Sequence, residues 1–313
     1  MPQLTTPGFH HVELVSSDAQ RSLGFYRDLL GMSVVERART GANSLYLGDA
    51  AGTPGSLVSL VEAGAPRGNW GVGGVHHTAF VVEDDEALLR WKRRLTDHGV
   101  SVYGPVNRRW FNSLYFSDPD GQVTEIATRG PGYALDEPAD RLGETEIIPG
   151  PENLRGERDE AEIQARTWPD PVPEITPEMV LGGIHHVSAI TDDVRRADEF
   201  LRTALGLRLV KRTVNQDDPR TAHWFWARYD GHEVAPHSSF TLFGWPLGGR
   251  KARPGTGQTR HVSFRAADVE ELHAWRDHLL SMNVTVSPVT DLGWYSAIRF
   301  AAPDGLFLEI ATP

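Results

Sequence analysis

The chain has 313 residues, of which 40% are hydrophobic and 23% are charged, with a net charge of −11. This is the composition of a globular protein long enough for two domains. The absence of cysteine excludes disulfides and thiolate metal sites. The negative charge argues against nucleic acid as a partner, because phosphate binding requires a basic surface. No apolar run approaches the roughly 20 residues that span a bilayer, and the N-terminus lacks the basic start and apolar core of a signal peptide. A cytoplasmic protein without a membrane partner is therefore expected.

The chain begins with a pattern of strand, helix and three strands, and this pattern recurs three times. Such an internal repeat indicates duplication of one structural unit. The four βαβββ units are predicted at residues 8–62, 75–128, 184–244 and 259–312. Their helices are predicted at residues 21–30, 84–98, 194–205 and 269–280. The sequence thus predicts an α+β fold in which four units form two open, barrel-like domains.

The stretch between the second and third units has the composition of a linker. Residues 129–181 are dense in proline and glutamate, and residues 169–173 read Pro-Asp-Pro-Val-Pro. We therefore divide the chain into a first half at residues 1–128, a linker at 129–181 and a second half at 182–313. A short surface helix is predicted within residues 157–166.

The first strand of every unit carries a histidine at one shared position. These histidines are His11, His77, His186 and His261. Strand side chains alternate between faces, and the face with the histidines is the less apolar one, so it is expected to line a cavity. The fourth unit has Arg260 where the other three have a preceding histidine. His76 and His185 are therefore predicted to support the ligands or pack beside them.

A glutamate follows two of these histidines at the same distance along the chain, in the last strand of the unit. Glu125 follows His77, and Glu309 follows His261. A lone buried carboxylate is costly, and a neighbouring cation would remove that cost. Two histidines and one carboxylate with open positions are the ligands of non-haem Fe(II) oxygenases. The second histidine must come from a unit without the glutamate, which leaves His11 and His186. A fourth protein ligand would instead indicate a glyoxalase-type isomerase.

Three stretches of sequence carry a resemblance to a known family. They are residues 183–191 continuing through 205–218, residues 107–116 running into 125–128, and residues 130–138. With the four βαβββ units, they resemble the vicinal oxygen chelate superfamily, and within it the hydroquinone-type ring-cleaving dioxygenases. In that family the first stretch usually opens the protein and the other two close it. The resemblance therefore implies that the two halves stand in swapped order here.

The resemblance implies a metal site in which units two and three pair, and units one and four pair with each other. The metal would be Fe(II), with Mn(II) as an alternative, held by His77, His186 and Glu125. Pairing of consecutive units would instead give the sets His11/His77/Glu125 and His186/His261/Glu309.

The family's supporting tyrosine and arginine fall on Tyr115 and Arg108 of this chain, and His185 and His76 are further candidate catalytic residues. A phenol and a guanidinium would contact substrate oxygens, and the histidines would carry protons. The ring of the substrate would lie among candidate aromatic residues, which are Trp110, Phe111, Trp224 and Trp226.

A second metal set is predicted from the remaining ligands, which are His11, His261 and Glu309. It lacks the helpers of the first set, because Arg299 stands at the position of Tyr115 and Leu292 at that of Arg108.

These observations favour a ring-cleaving, extradiol-type dioxygenase that acts on a hydroquinone or catechol with O2. One alternative is a glyoxalase-like metal isomerase or epimerase. The other is a non-enzymatic aromatic-binding or drug-binding protein of the bleomycin-resistance type, which would have no need of the repeated ligands. Assembly into a homo-oligomer is compatible with all three of these functions.

Overall fold

The computed structural model describes residues 4–37, 44–246 and 248–313. The strands of the first two units are β1 (Phe9–Ser16), β2 (Ser33–Arg37), β3 (Ser44–Gly48), β4 (Leu57–Glu62), β5 (Val75–Val82), β6 (Tyr103–Asn107), β7 (Asn112–Ser117) and β8 (Val123–Thr128). Their helices are α1 (Ala19–Leu23), which continues as a π-helical segment (Gly24–Leu29), and α2 (Asp85–Asp97). The linker contains α3 (Glu160–Ala165).

The third and fourth units repeat this order. Their strands are β9 (Ile184–Thr191), β10 (Arg208–Asn215), β11 (Asp218–Ala227), β12 (Ser239–Gly244), β13 (Thr259–Arg265), β14 (Thr290–Asp291), β15 (Ser296–Ala301) and β16 (Phe307–Ala311). Their helices are α4 (Val194–Ala204) and α5 (Val269–Ser281). The helix of every unit begins after an aspartate whose carboxylate accepts from backbone N–H groups of the first turn, which stabilises that end. Among the helices described, none has the length and apolar character needed to cross a membrane.

The strands form two eight-stranded sheets. The order of the first sheet is β14-β15-β16-β13-β1-β4-β3-β2, and that of the second is β10-β11-β12-β9-β5-β8-β7-β6. The first sheet therefore joins units one and four, and the second joins units two and three, through antiparallel pairs at their centres. This confirms the predicted α+β class, and the pairing is the one implied by the family resemblance.

β-Bulges at the centre of each sheet fall on the residue that precedes each shared histidine. In the pairing of β5 with β9, the register skips His76 on one strand and His185 on the other. The pairing of β1 with β13 skips His10 and Arg260 in the same way. A bulge inserts one unpaired residue and re-aims its side chain. Each bulged residue therefore precedes a histidine that faces the interior of the curved sheet.

The linker is packed against the units that it connects. The ammonium group of Lys92 on α2 donates to three linker carbonyls, those of Ile163, Gln164 and Arg166. Fully buried Lys211 on β10 pairs with Asp136 at 2.6 Å and also with Glu137. Asp136 in turn accepts from the indole of Trp110. The linker thus helps to hold one wall of the second sheet in place.

Replacing Lys211 by methionine is expected to lower the free energy of unfolding by about 3–5 kcal/mol, because the buried carboxylate of Glu137 loses its cation, whereas Asp136 keeps Arg109 at 2.5 Å. Urea denaturation measures this change. Lys251→Met is the matched control, since Lys251 is largely exposed and pairs with Asp192 at 3.3 Å, so its loss should cost at most about 1 kcal/mol. Equal effects of the two substitutions would show that the buried cluster contributes no more than a surface pair.

Candidate metal centre

Three buried side chains meet on the concave face of the second sheet. The Nε2 atoms of His77 and His186 are 3.2 Å apart, and the Glu125 Oε2 atom lies 2.9 Å from the first and 3.4 Å from the second. Metal bonds of about 2.1 Å at right angles place adjacent ligand atoms about 3.0 Å apart. The three atoms are therefore close enough to share one metal ion, which would leave its opposite side free for other ligands.

The carboxylate of Glu125 is poised for a cation. Its Oε1 atom accepts a hydrogen bond of 2.5 Å from Ser113, whereas its buried Oε2 atom has no hydrogen-bond donor in the described part of the chain. Burial by itself would raise the pKa of Glu125, but His186 and His77 hold that pKa well below its usual range. A charged carboxylate oxygen directed at two histidine nitrogens fits the donor set of a divalent metal.

Each bulged histidine contacts the neighbouring candidate ligand. The Nδ1 atoms of His76 and His77 are 2.7 Å apart, and those of His185 and His186 are 2.8 Å apart. If each ligand histidine donates from Nδ1 to its neighbour, its Nε2 lone pair is free to bind the metal. Burial, and secondly the adjacent histidine, lower the pKa of both His76 and His185 to about 3. Proton transfer by these two histidines stays a prediction.

Arg108 and Tyr115 lie together beside the metal ligands. The Arg108 Nε atom donates to the Tyr115 hydroxyl at 2.9 Å, and its terminal nitrogens donate to Gln216 and Asp217 at 3.0 Å each. The ring of Tyr115 packs edge-on against His77, with 5.8 Å between ring centroids. Burial raises the pKa of Tyr115 although Arg108 opposes this. The phenol is therefore held in its protonated, hydrogen-bonding form.

A cavity of about 400 Å³ opens above the ligands. Its aromatic lining consists of Trp70, Tyr103, Trp110, Phe111, Tyr115, Phe225, Phe243 and Trp245. Trp110 and Phe111 thus lie where the sequence places them. Sequence reasoning missed His223, whose ring lies between Phe225 and Phe243 at centroid distances of 4.3 and 4.2 Å. The alternation of side chains along β11 was the signal that could have found it.

Trp224 and Trp226 were wrongly predicted to surround the substrate ring. Neither lines the cavity. Successive strand residues point to opposite faces, so His223 and Phe225 face the cavity and the two tryptophans face the helix layer. Trp226 is fully buried there and donates its indole N–H to Asp198 on α4 at 2.7 Å.

The first sheet brings together the other predicted ligand set. The Nε2 atoms of His11 and His261 are 3.2 Å apart, and the Oε1 atom of Glu309 lies 3.7 and 3.6 Å from them. Arg299 occupies the register position of Tyr115 and donates to Glu309 at 2.8 Å. The described part of the chain contains two groups of three side chains whose ligand atoms are close enough to share one metal, and these are the two sets.

Comparison with known proteins supports both the fold and the family. The Bacillus subtilis (strain 168) protein named Putative ring-cleaving dioxygenase MhqO is 26% identical over 98% of this chain and 85% of its own length. The Chlorohydroquinone/hydroquinone 1,2-dioxygenase of Sphingobium indicum is 34% identical over 43% of this chain and 41% of its own. A crystal structure of a putative dioxygenase from Bacillus subtilis has the same fold, with a TM-score of 0.75 at 24% identity, over 99% of this chain and 86% of its own.

The family model named Glyoxalase/Bleomycin resistance protein/Dioxygenase superfamily matches residues 8–126 and 183–310. These stretches cover nearly all of the four βαβββ units and contain both candidate ligand sets. Since they make up most of the chain, the protein belongs to the glyoxalase/bleomycin resistance protein/dioxygenase superfamily.

Proposed function

We propose that the protein is a metal-dependent dioxygenase that opens the ring of a hydroquinone or catechol with O2. The carrying observation is the open His77/His186/Glu125 face on the floor of a cavity lined by aromatic side chains. The names of its relatives support the general class of reaction. The expected metal is Fe(II), with Mn(II) as the alternative, because two histidines and one carboxylate are the ligands typical of non-haem iron oxygenases.

The metal, when bound, would supply the electronic link between an electron-rich ring and O2, which otherwise react slowly. The protein's own groups perform the remaining work. Glu125 supplies negative charge and the two histidines supply neutral nitrogen ligands. The Tyr115 hydroxyl, held by Arg108, would donate a hydrogen bond to an oxygen of the substrate or of O2, and this contact gains strength as negative charge develops.

The aromatic walls would hold the substrate ring and keep water from the reacting atoms. Phe111 packs against His186, with 5.3 Å between ring centroids, and Phe243 against His77, with 6.1 Å. These two rings flank the open side of the ligand set. A flat dihydroxylated ring between them would direct its hydroxyl groups at the metal position and its hydrophobic edge at the walls.

A glyoxalase-like isomerase is less well supported. In the described part of the chain, three side chains of the second sheet are close enough to share one metal, and a fourth ligand, such as a second carboxylate, is not among them. A purely drug-binding protein would have no reason to bury Glu125 with an unpaired oxygen.

The test is oxygen uptake by protein loaded with Fe(II) under anaerobic conditions, with a panel of hydroquinones and catechols. We expect uptake with at least one of them, together with a new ultraviolet absorption from the ring-opened product. Monohydroxylated phenols of the same size are the substrate control and should give no uptake. If iron-replete protein consumes no oxygen with any dihydroxylated ring, the proposed function is wrong.

A further inference from the structure

The second ligand set lies in the first sheet, on β1, β13 and β16, and the proposed oxygenase chemistry does not use it. His11 and Glu309 are fully buried, and His261 is 4% exposed. Their three inward atoms are separated by 3.2, 3.6 and 3.7 Å. Such a group needs an explanation, because burying a carboxylate and two imidazoles without a shared partner is costly.

Each of the three side chains is oriented by a partner on its outer side. The Nδ1 atom of His11 is 2.8 Å from that of His10, and the Nδ1 atom of His261 is 3.5 Å from the Oε1 atom of buried Glu13. Glu13 lies directly opposite His261 in the strand pairing. The Nε2 atoms of both histidines are thus left to face one another. Ligand histidines in metal sites are typically held in this way through their second nitrogen.

The carboxylate of Glu309 supplies an independent indication of a cation-binding site. Its outer Oε2 atom accepts from Arg299, whereas its buried inner Oε1 atom has no hydrogen-bond donor in the described residues. Glu125 shows the same division, with Ser113 in place of Arg299 on the outer oxygen. Both glutamates therefore direct one unpaired oxygen at two histidine nitrogens.

The geometry and surroundings differ from those of the first set. Bonds of about 2.1 Å at tetrahedral angles place ligand atoms about 3.4 Å apart, closer to these separations than the octahedral value. The space beside His11 is filled by Tyr46 and Tyr295, whose rings lie 5.6 Å from the imidazole and whose hydroxyls are 2.9 Å apart.

We infer that His11, His261 and Glu309 form a second metal site that binds a small divalent ion of the zinc class in tetrahedral geometry, with these three side chains as protein ligands and water at the fourth position. Its role is structural, since the ion would join the first and fourth units at the centre of their sheet. The inference is independent of the proposed oxygenase reaction. The rival explanation is that Arg299 replaces the metal as the cation. Arg299 is about half exposed and reaches the outer oxygen alone, so the inner oxygen stays unpaired.

The test is the metal content of the full-length protein after reconstitution with Zn²⁺ and removal of free ion, measured by inductively coupled plasma mass spectrometry. We expect two ions per chain in the unchanged protein, one in Glu309→Gln and one in Glu125→Gln. Arg299→Gln is the matched control and should retain two, because it removes the partner of the outer oxygen and leaves all three ligands. If Glu309→Gln binds as much metal as the unchanged protein, the inference is wrong.

Cobalt makes the test independent of how well the Glu309 variant folds. In Glu125→Gln, which leaves the second site untouched, Co²⁺ should bind once per chain and give the intense visible absorption of a tetrahedral complex. The melting temperature should rise with the bound ion, because a ligand that binds only the folded state stabilises it. No bound Co²⁺ in this variant, with the fold intact by circular dichroism, would overturn the inference and favour Arg299 as the compensating cation.

Discussion

Glu125→Gln is expected to abolish oxygen uptake while the protein stays folded. The amide has nearly the shape of the carboxylate but no charge, so the second sheet loses its anionic ligand. Metal affinity at this site should fall by more than about 100-fold, the upper end of what is seen when only a group supporting a ligand is changed. Metal content and oxygen uptake, measured on the same preparation, check this result.

Stability separates loss of the ligand from loss of the fold. In the metal-free protein, His186 and His77 hold the pKa of Glu125 well below its usual range, so the folded state favours the charged carboxylate. Its neutralisation should therefore lower the free energy of unfolding without preventing folding, so that loss of metal can be measured on folded protein. His77→Ala should abolish metal binding at this site as well.

His261→Ala is the control in the other sheet and should keep oxygen uptake. If this variant loses activity while it stays folded, the assignment of the oxygenase reaction to the second sheet is wrong.

Much of the candidate site could be predicted because the chain contains four copies of one unit, which can be compared with one another. Four copies of one unit show which histidine is shared, and the arginine of the fourth copy separates the ligand from its neighbour. The equal spacing of the two glutamates then identifies their partners. These conclusions depend on side-chain alternation along short strands, a local property that sequence reports well.

The pairing of units depends on contacts between distant strands, so the residues alone left two arrangements open. The family resemblance favoured the one that the sheets show. The swapped order of the halves relative to that family stays a prediction. The bulges were also beyond sequence reasoning, because an inserted residue is recognised only against its partner strand.

The error at Trp224 and Trp226 has a specific cause. Alternation was applied to the first and last strands of each unit but not to β11, where aromatic character alone suggested contact with the substrate. Both phases of β11 are rich in aromatic residues, since one faces the cavity and the other packs under α4. Composition could not show which face of β11 lines the cavity. The register with β12 does show it, because Trp224 lies opposite Leu242.

Tyr115→Phe is expected to lower kcat by about 10²-fold while the metal content stays at the level of the unchanged protein. The substitution removes one hydroxyl that would donate to developing negative charge, and losses of this size accompany removal of one such donor. KM should change little, because the aromatic walls that hold the substrate ring are unaltered. Steady-state oxygen uptake at several substrate concentrations separates the two parameters.

Tyr133→Phe is the matched control. The Tyr133 hydroxyl is also part of a hydrogen bond, at 2.7 Å from Ser239, but it does not line the cavity above the metal ligands. Its loss should leave kcat unchanged and cost about 1 kcal/mol of stability. Equal losses of kcat in both variants would mean that Tyr115 acts only through the fold.

The pH profile adds a second criterion for Tyr115. Since burial raises the pKa of its hydroxyl, the phenol stays protonated through neutral and moderately alkaline pH. A fall in activity on the alkaline side must then come from another group, and Tyr115→Phe should show that same fall at its lower rate. If the substitution instead removes the alkaline fall, the phenol loses its proton within the working range, and its role would be that of a base rather than a hydrogen-bond donor.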